Sequence, residues 1–429
     1  MEMIRNSREP KSDRHVLATV FAIGGISLVI GFLALANPHI ALSAALRGVA
    51  VWWDILFPAL FPFFVMSELL LGFGIVHLAG TLLDPFMRPL FRLPGVGGFI
   101  VAMGFASGYP VGAKLTSRLM EQKLVTRDQG ERLVAMTTTS DPIFLIGAVS
   151  IGFFGSLQAA PALAVAHYSG ALLLGLVAGF RSRASGDLSL TPPKPPGGRL
   201  RAALQAMHRA RIADGRPFGV MLQQSLQSSL TLIVIVGGLV VFFSAVLDLL
   251  LHSGLLLLFR DSMGELLRLI GLSPKLAPAF VSGTFEVTLG SKAAATVPGI
   301  PLVDRVAVAA FVLSWAGLSV HAQVAGLMSR TAWRYLPFAR MRLAHGILAM
   351  AIVYAIWPYL GPSAITGSAS IPPPGMNAMV PGSPHAVLLP ASSFFSSAAW
   401  LPFTFLLTIA IIIAAGSVAA ALAAIRRGR

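Results

Sequence analysis

Cysteine is absent from all 429 residues. That removes disulfides, structural thiolate metal sites and thiol nucleophiles, and it leaves the redox compartment undecided. Charge is scarce as well: 11% of the residues are Asp, Glu, Lys or Arg, where a soluble domain carries roughly 25%. Acidic residues are the rarer kind, 17 against 32 Lys and Arg. No phosphate-cradling glycine loop, His/Glu metal motif or nucleophile elbow occurs. Those absences argue against a pump with its own ATPase, a membrane protease or any other enzyme, and no metal or cofactor is expected.

What is present is apolar. The sequence is 55% hydrophobic with a mean hydropathy of +0.78, and its apolar residues come in long runs, plainest at 16–36 and 396–424. A bilayer-spanning helix needs about 20 such residues, so the chain is expected to be a membrane protein. Its net charge of +15 invites a nucleic-acid partner. The Lys and Arg, however, sit in short segments between apolar runs, where the positive-inside rule puts them. The expected partners are the lipid bilayer and a small-molecule solute, with no nucleic acid. Arg5, Arg8, Lys11 and Arg14 before the first run resemble a signal peptide. The run's length and its lack of a small-x-small cleavage site favour a retained helix.

Basic residues orient the chain, with both termini cytoplasmic. Helices are expected near 16–36, 58–80, 129–155, 161–180, 225–251, 303–328, 342–360 and 396–424. Residues 40–56, with Arg47, Asp54, Trp52 and Trp53, suit a helix in the outer interface. Arg88 and Arg92, then Arg330, Arg334, Arg340 and Arg342, then Arg426, Arg427 and Arg429 all fall on the inner side. Residues 94–125 begin apolar, break at Gly104, Gly108, Pro110 and Gly112, and turn basic at Lys114, Arg118 and Lys123. They start and end on one side, as a re-entrant hairpin does, and 274–301 matches them from the other side. Irregular backbone at membrane depth must be buried in protein or line a cavity. The expected fold is an all-α polytopic membrane protein of about eight transmembrane helices plus two re-entrant helical hairpins. Its parts are an N-terminal transmembrane helix (1–39), a first repeat (40–180), a basic cytoplasmic linker (181–217), a second repeat (218–360), an external Pro/Gly/Ser-rich loop (361–395) and a C-terminal transmembrane helix (396–429). A second copy of the chain is a candidate partner.

A shift of 175 positions superposes Ser107-Gly108 on Ser282-Gly283, Thr139 on Ser314 and Pro142 on Gly317, and brings Lys114 within three positions of Lys292. The two units thread in opposite senses, which predicts an inverted structural repeat with its solute site near the midplane between broken helices.

The first broken helix reads Thr137-Thr138-Thr139-Ser140-Asp141-Pro142. Pro142 removes a backbone donor and clashes with the preceding turn, freeing carbonyls to face a ligand. An acid inside a membrane is rarely idle; the plainer alternative is a kink whose hydroxyls bond back to the helix. The second helix carries Ser314, Ser319, His321 and Gln323, where a lone His also suits simple packing. Ser107-Gly108-Tyr109-Pro110 resembles a hairpin tip, with Ser282-Gly283-Thr284 as its counterpart, followed by Glu286, Thr288 and Lys292. Glycines every fourth residue at 104, 108 and 112 also suit small-residue packing. Lys114 and Lys292 each follow a tip and favour an anionic solute. Alternatively Lys114 snorkels to the interface and Lys292 neutralises Glu286. Glu68, mid-run in an apolar helix, is a candidate for coupling to a proton or sodium ion. Residues 199–216 form a basic amphipathic linker helix.

The runs ALRGVAVWWDILFPALFPFFVMSELLLGFG, GVGGFIVAMGFASGYPVGAKLTSRL and TTTSDPIFLIGAVSIGFFG resemble the YlbJ-like sporulation integral membrane proteins, in the wider Gate or nucleoside-recognition group. The resemblance covers roughly residues 40–360. It implies a fold similar to concentrative nucleoside transporters, a cytoplasmic or forespore membrane of a spore-forming bacterium, and transport of dipicolinic acid by alternating access. The alternatives are a transporter of a nucleoside or other neutral solute, and a scaffold needed for spore formation that moves nothing.

Overall fold

Proline 38 opens the first structural decision of the chain. In the computed structural model, which describes residues 11–181 and 198–361, α1 (Lys11–Ala36) and α2 (Pro38–Val51) meet at a bend of 104°. A proline keeps the residue before it out of the helical region, and Asn37 lies at φ −132°, ψ 60°. From α2 the chain passes through a π turn at Trp52–Leu56 into α3 (Phe57–Gly72). Arg47 pairs with Asp248 and the Trp52 indole donates to Ile233 O at 3.0 Å, so α2 is held along the long helix that contains both partners.

The continuous helix expected over 58–80 is instead two helices. α3 ends at Gly72, and α4 (Ile75–Phe86) leaves at 82° to it. Gly74 at the corner has φ +78°, a conformation that glycine adopts without strain. A Cβ there would stand 2.8 Å from Met207 O, so a neighbouring helix packs into the corner.

The order that follows occurs twice. α5 (Val96–Ser107) and α6 (Tyr109–Glu121) form a helical pair, then α7 (Arg127–Thr137) breaks before a π-helical segment at Phe144–Phe153, then comes the long α8 (Ala160–Arg181). α9 (Arg199–Asp214) packs on α4 and leads into α10 (Phe218–His252) and α11 (Leu257–Leu269). α12 (Ala277–Phe285) and α13 (Val287–Thr296) form the second pair, α14 (Leu302–Trp315) breaks before α15 (Gly317–Met328), and the long α16 (Tyr335–Leu360) closes the described residues. α7 starts at a capping box, in which Thr126 and Gln129 satisfy each other's backbone N–H groups.

Four stretches are long and apolar enough to cross a bilayer, Leu157–Arg181, Phe218–His252, Leu302–Met328 and Tyr335–Leu360, and the two bent pairs raise the number to six among the described residues. The expectation was eight. The expected span 129–155 falls short because α7 carries Arg127, Asp128, Glu131 and Arg132 and stops at Thr137. The expected helix at 396–424, and the loop beyond Gly361, lie outside the described residues.

α14 lies at the centre, packed on α16, α13, α12 and α8. Its residues Val306 to Ala310 are all fully buried. Small side chains let backbones approach closely, which matters in lipid because burial in hydrocarbon gives helices little reason to associate. The second arm of each pair also reaches into the other half: α6 packs on α15, and α13 on the π-helical segment.

Candidate functional site

Two helix pairs and two helix breaks converge on one place. Gly108 joins α5 to α6 at φ +84°, and a Cβ added there would lie 3.1 Å from Asp141 Oδ2 in the first break. Only glycine takes that backbone conformation without strain. Asp141 Oδ1 accepts the Phe144 N–H at 2.8 Å and so caps the π-helical segment. In the second half Glu286 joins α12 to α13, and its carboxylate accepts the Leu289 N–H at 2.8 Å. A carboxylate at a helix N-terminus satisfies an orphan donor and the positive end of the dipole together. The second break falls at Ala316 (φ +76°) and Gly317 (φ +73°). A Cβ at Gly317 would stand 3.0 Å from Phe285 O and 3.1 Å from the Glu286 backbone. Each hairpin joint therefore leans on the break of its own half.

Between them lies a cavity of about 40 Å³. Tyr109, Pro110, Asp141 and Phe144 line it from the first half and Glu286, Thr288, Ser319 and Gln323 from the second, while apolar side chains, among them Leu56, Leu60, Val236, Val240, Val287 and Val320, make up most of its wall. Asp141 is 4% exposed and Glu286 1%. The Ser319 hydroxyl has no hydrogen-bond partner among the described residues. A space of this size holds water but no organic solute. Among the described residues, two carboxylates and no Lys or Arg line it.

Behind the cavity, buried side chains tie the breaks together. His167 on α8 accepts the Ser140 N–H at Nε2 (2.9 Å), so its ring proton lies on Nδ1, which donates to Ser314 Oγ (2.8 Å). The Tyr168 hydroxyl donates to Ser140 O at 3.0 Å, and the His345 Nε2–H donates to His167 O at 2.7 Å. Arg342 donates to Ala135 O at 3.2 Å and to Ser314 O. The Tyr109 hydroxyl donates to Leu313 O at 2.9 Å, linking the first hairpin to the second break.

Of the residues singled out in the sequence, Tyr109, Pro110, Asp141, Glu286, Thr288, Ser319 and Gln323 meet at the cavity. Gly108 touches it through Asp141, and Ser107 is buried just before the joint. Thr138 bonds back to Val134 O at 2.6 Å and Thr139 reaches Gly104 O at 3.3 Å, so these hydroxyls satisfy backbone rather than face the cavity. Ser140 acts through its peptide groups, and Ser314 through His167 and Arg342. His321 packs against Trp315 and bonds Trp315 O (3.1 Å) and Tyr335 OH (2.9 Å). Ser282, Gly283 and Thr284 belong to the last turns of α12, not to the tip, which is at Glu286. Gly283 is packed on Val312, and Thr284 bonds back to Phe280 O at 2.9 Å. Gly108 and Glu286 are 178 positions apart, as are Lys114 and Lys292 and the helix-ending residues Thr138 and Ala316, so the hairpins and the ends of α7 and α14 superpose at a shift of 178, not 175.

The lysines stand elsewhere. Lys114 pairs with Glu68 at 2.6 Å and bonds Ser228 at 2.8 Å, while Arg118 takes the other Glu68 oxygen at 2.9 Å. Lys292 is exposed and makes no ion pair with Glu286, whose carboxylate caps α13 instead. Glu68 thus belongs to an ion cluster away from the cavity lining. Gly104 and Gly112 are packing positions, both pressed against Thr137.

His167, Tyr168, His345 and Arg342 escaped sequence reasoning. His167 and Tyr168 were legible as polar residues in the otherwise apolar ALAVAHYSGALL. Arg342 has the sequence neighbours of an inner-side surface charge, with Arg330, Arg334 and Arg340 nearby, yet it is 0% exposed.

Apolar helices long enough to cross a bilayer, with two pairs of short helices and two interrupted helices around a small buried cavity, define an integral membrane protein. A family model described as nucleoside recognition, Gate, matches residues 54–160, which contain the first hairpin and the first break. The sporulation integral membrane protein YlbJ of Bacillus subtilis (strain 168) is 39% identical over 338 residues, covering 78% of this chain and 82% of that protein. The chain belongs to the YlbJ family of sporulation integral membrane proteins.

Proposed function

We propose that this protein is a transporter that moves a small polar solute by alternating access, with the cavity between the two breaks as its midplane site. The observation that carries the reading is the convergence of both hairpin joints and both broken helices on one buried, mostly apolar cavity, into which Asp141, Glu286 and the unused Ser319 hydroxyl bring polar groups. Buried polar groups without partners are costly, and water or a solute relieves that cost. At water size the cavity represents the closed stage of the cycle, and the solute enters once the hairpins separate from the breaks. The recurring order of hairpin, broken helix and long helix supports two units of inverted topology, each contributing one gate. The positions of the basic clusters support cytoplasmic termini.

Dipicolinate is the first solute to test, as the sporulation family suggests. Asp141 and Glu286 leave no positive side chain to receive its carboxylates, so it crosses with compensating protons or cations. A second reading has its own support: two carboxylate acceptors suit a neutral solute rich in hydroxyls, such as a nucleoside. Uptake into liposomes containing the purified protein decides. Dipicolinate uptake that rises with an inward proton or cation gradient and falls in Asp141→Asn and Glu286→Gln supports the first reading. Gradient-independent nucleoside uptake favours the second, and uptake of neither overturns transport in favour of a scaffold. Labelling of a cysteine introduced at 200 from the outside only would reverse the orientation.

A further inference from the structure

α7 and α14 both end inside the protein. The carbonyls of a helix's last turn have no partner further along the helix and form the negative pole of its dipole. Arg342, on α16, stands between these two ends. One of its terminal nitrogens donates to Ala135 O in the last turn of α7, and the other to Ser314 O in the last turn of α14. The side chain is 0% exposed and its Nε has no partner among the described residues. Among the described residues no carboxylate lies within ion-pair distance of it. A guanidinium buried in this way is stable only if its surroundings supply the opposing charge, and here two helix ends supply it.

Half-helix ends and unwound carbonyls of this kind are where secondary transporters hold coupling cations. We propose that Arg342 is the resident cation of the two helix breaks: a positioning residue that holds the ends of α7 and α14 together, filling with a fixed charge the place a monovalent cation would take. The inference rests on the transport reading only in giving those breaks a role in solute movement; the electrostatic brace stands without it. Planarity explains the residue type. A flat guanidinium presents two parallel-facing donors to two separate carbonyls, which a point-charge ammonium does not.

Chemical rescue tests this in the full-length chain in nanodiscs, read by thermal melting and by hydrogen exchange of segments 134–140 and 312–318. Arg342→Ala should melt below wild type and exchange roughly tenfold or more faster in both segments, since the two ends lose one shared brace. Guanidinium at a few millimolar should restore melting and slow both segments together, saturably, while equal tetramethylammonium or urea should not. Arg342→Met fills the space without charge and should be as unstable as Arg342→Ala and unresponsive to guanidinium. Arg342→Met matching wild type, or guanidinium restoring neither readout, overturns the proposal. If Arg342→Ala does not fold, Arg342→Lys against Arg342→Met decides: Lys must be the more stable of the two. None of these readouts uses a solute, so loss of the transport reading and loss of this one are separately visible.

Discussion

The arms of the second hairpin touch backbone to backbone, and adding one methyl group tests how tightly. A Cβ at Gly290 on α13 would stand 2.2 Å from Gly283 Cα and 2.5 Å from Gly283 N on α12. Carbon atoms sit comfortably at about 3.5–4.0 Å, so Gly290→Ala must part the arms by roughly 1.5 Å. Neither opposing atom is the end of a flexible side chain that could swing aside. The arms cannot part freely either, because α13 also packs on α14 and on the π-helical segment. Overpacking of this kind costs typically 1–3 kcal/mol, and rigid backbone on both sides puts the expected loss at about 2–3 kcal/mol, roughly 30- to 150-fold in the unfolding equilibrium. The movement also shifts Glu286, which sits at the joint of these two arms. Reversible unfolding in mixed micelles measures the loss. Gly238→Ala in α10 is the control: its Cβ meets nothing within 4 Å, and it should gain up to about 1 kcal/mol of helix propensity. If Gly290→Ala proves as stable as Gly238→Ala, the close approach of the arms is wrong, and so is the placement of Glu286.

His167→Leu should cost about 1–3 kcal/mol by leaving the Ser140 N–H buried without an acceptor, and His167→Gln, which keeps one acceptor and one donor, should recover part of it; equal losses in the same unfolding assay would rule out the bridging role. Lys292→Gln should alter stability by less than about 0.5 kcal/mol and leave solute affinity unchanged, since the side chain is exposed. Lys114→Gln removes the nearer partner of the largely buried Glu68 and should cost about 1–3 kcal/mol; a drop in affinity for Lys292→Gln, measured by equilibrium binding, would restore both lysines to the solute site. In the linker, the Arg216 guanidinium beside Asp214, at 2.5 and 2.8 Å, holds that carboxyl below the usual carboxylate range. A lowered folded pKa stabilises above the unfolded value near 3.9 and loses that effect as pH falls through the folded value. Pepsin should therefore cut at 214–218 only below about pH 4, and cutting already at pH 5 would contradict the pairing.

Much of the local architecture was readable because its causes are local. Pro142 lacks an N–H and Gly317 tolerates positive φ, so the breaks follow from the residues themselves. Long apolar runs located α8, α10 and α16 for the same reason. The corner at Gly74 was missed because a single glycine in an apolar run is compatible with an unbroken helix, and Met207 O, which approaches it, comes from a helix more than 100 residues away. The second hairpin joint was placed at Ser282–Thr284 by analogy with Ser107-Gly108; the chain turns at Glu286 instead, where an extended residue with a capping carboxylate does what the glycine does in the first hairpin.

The sequence by itself determined that this is an all-helical membrane protein and that two of its helices break, near Pro142 and near Gly317, since hydropathy and backbone chemistry act over a few residues. Only the tertiary structure decided what the cavity is made of. Lys114 and Lys292 have the right spacing for a cationic site, yet one is captured by Glu68, 46 positions earlier, and the other points outward. Arg342 has the composition of a surface charge but bonds Ala135, 207 positions away, as His167 bonds Ser314, 147 positions away. Whether a basic residue faces water or holds two helix ends together depends on which distant segments pack around it, and that is set by the fold as a whole.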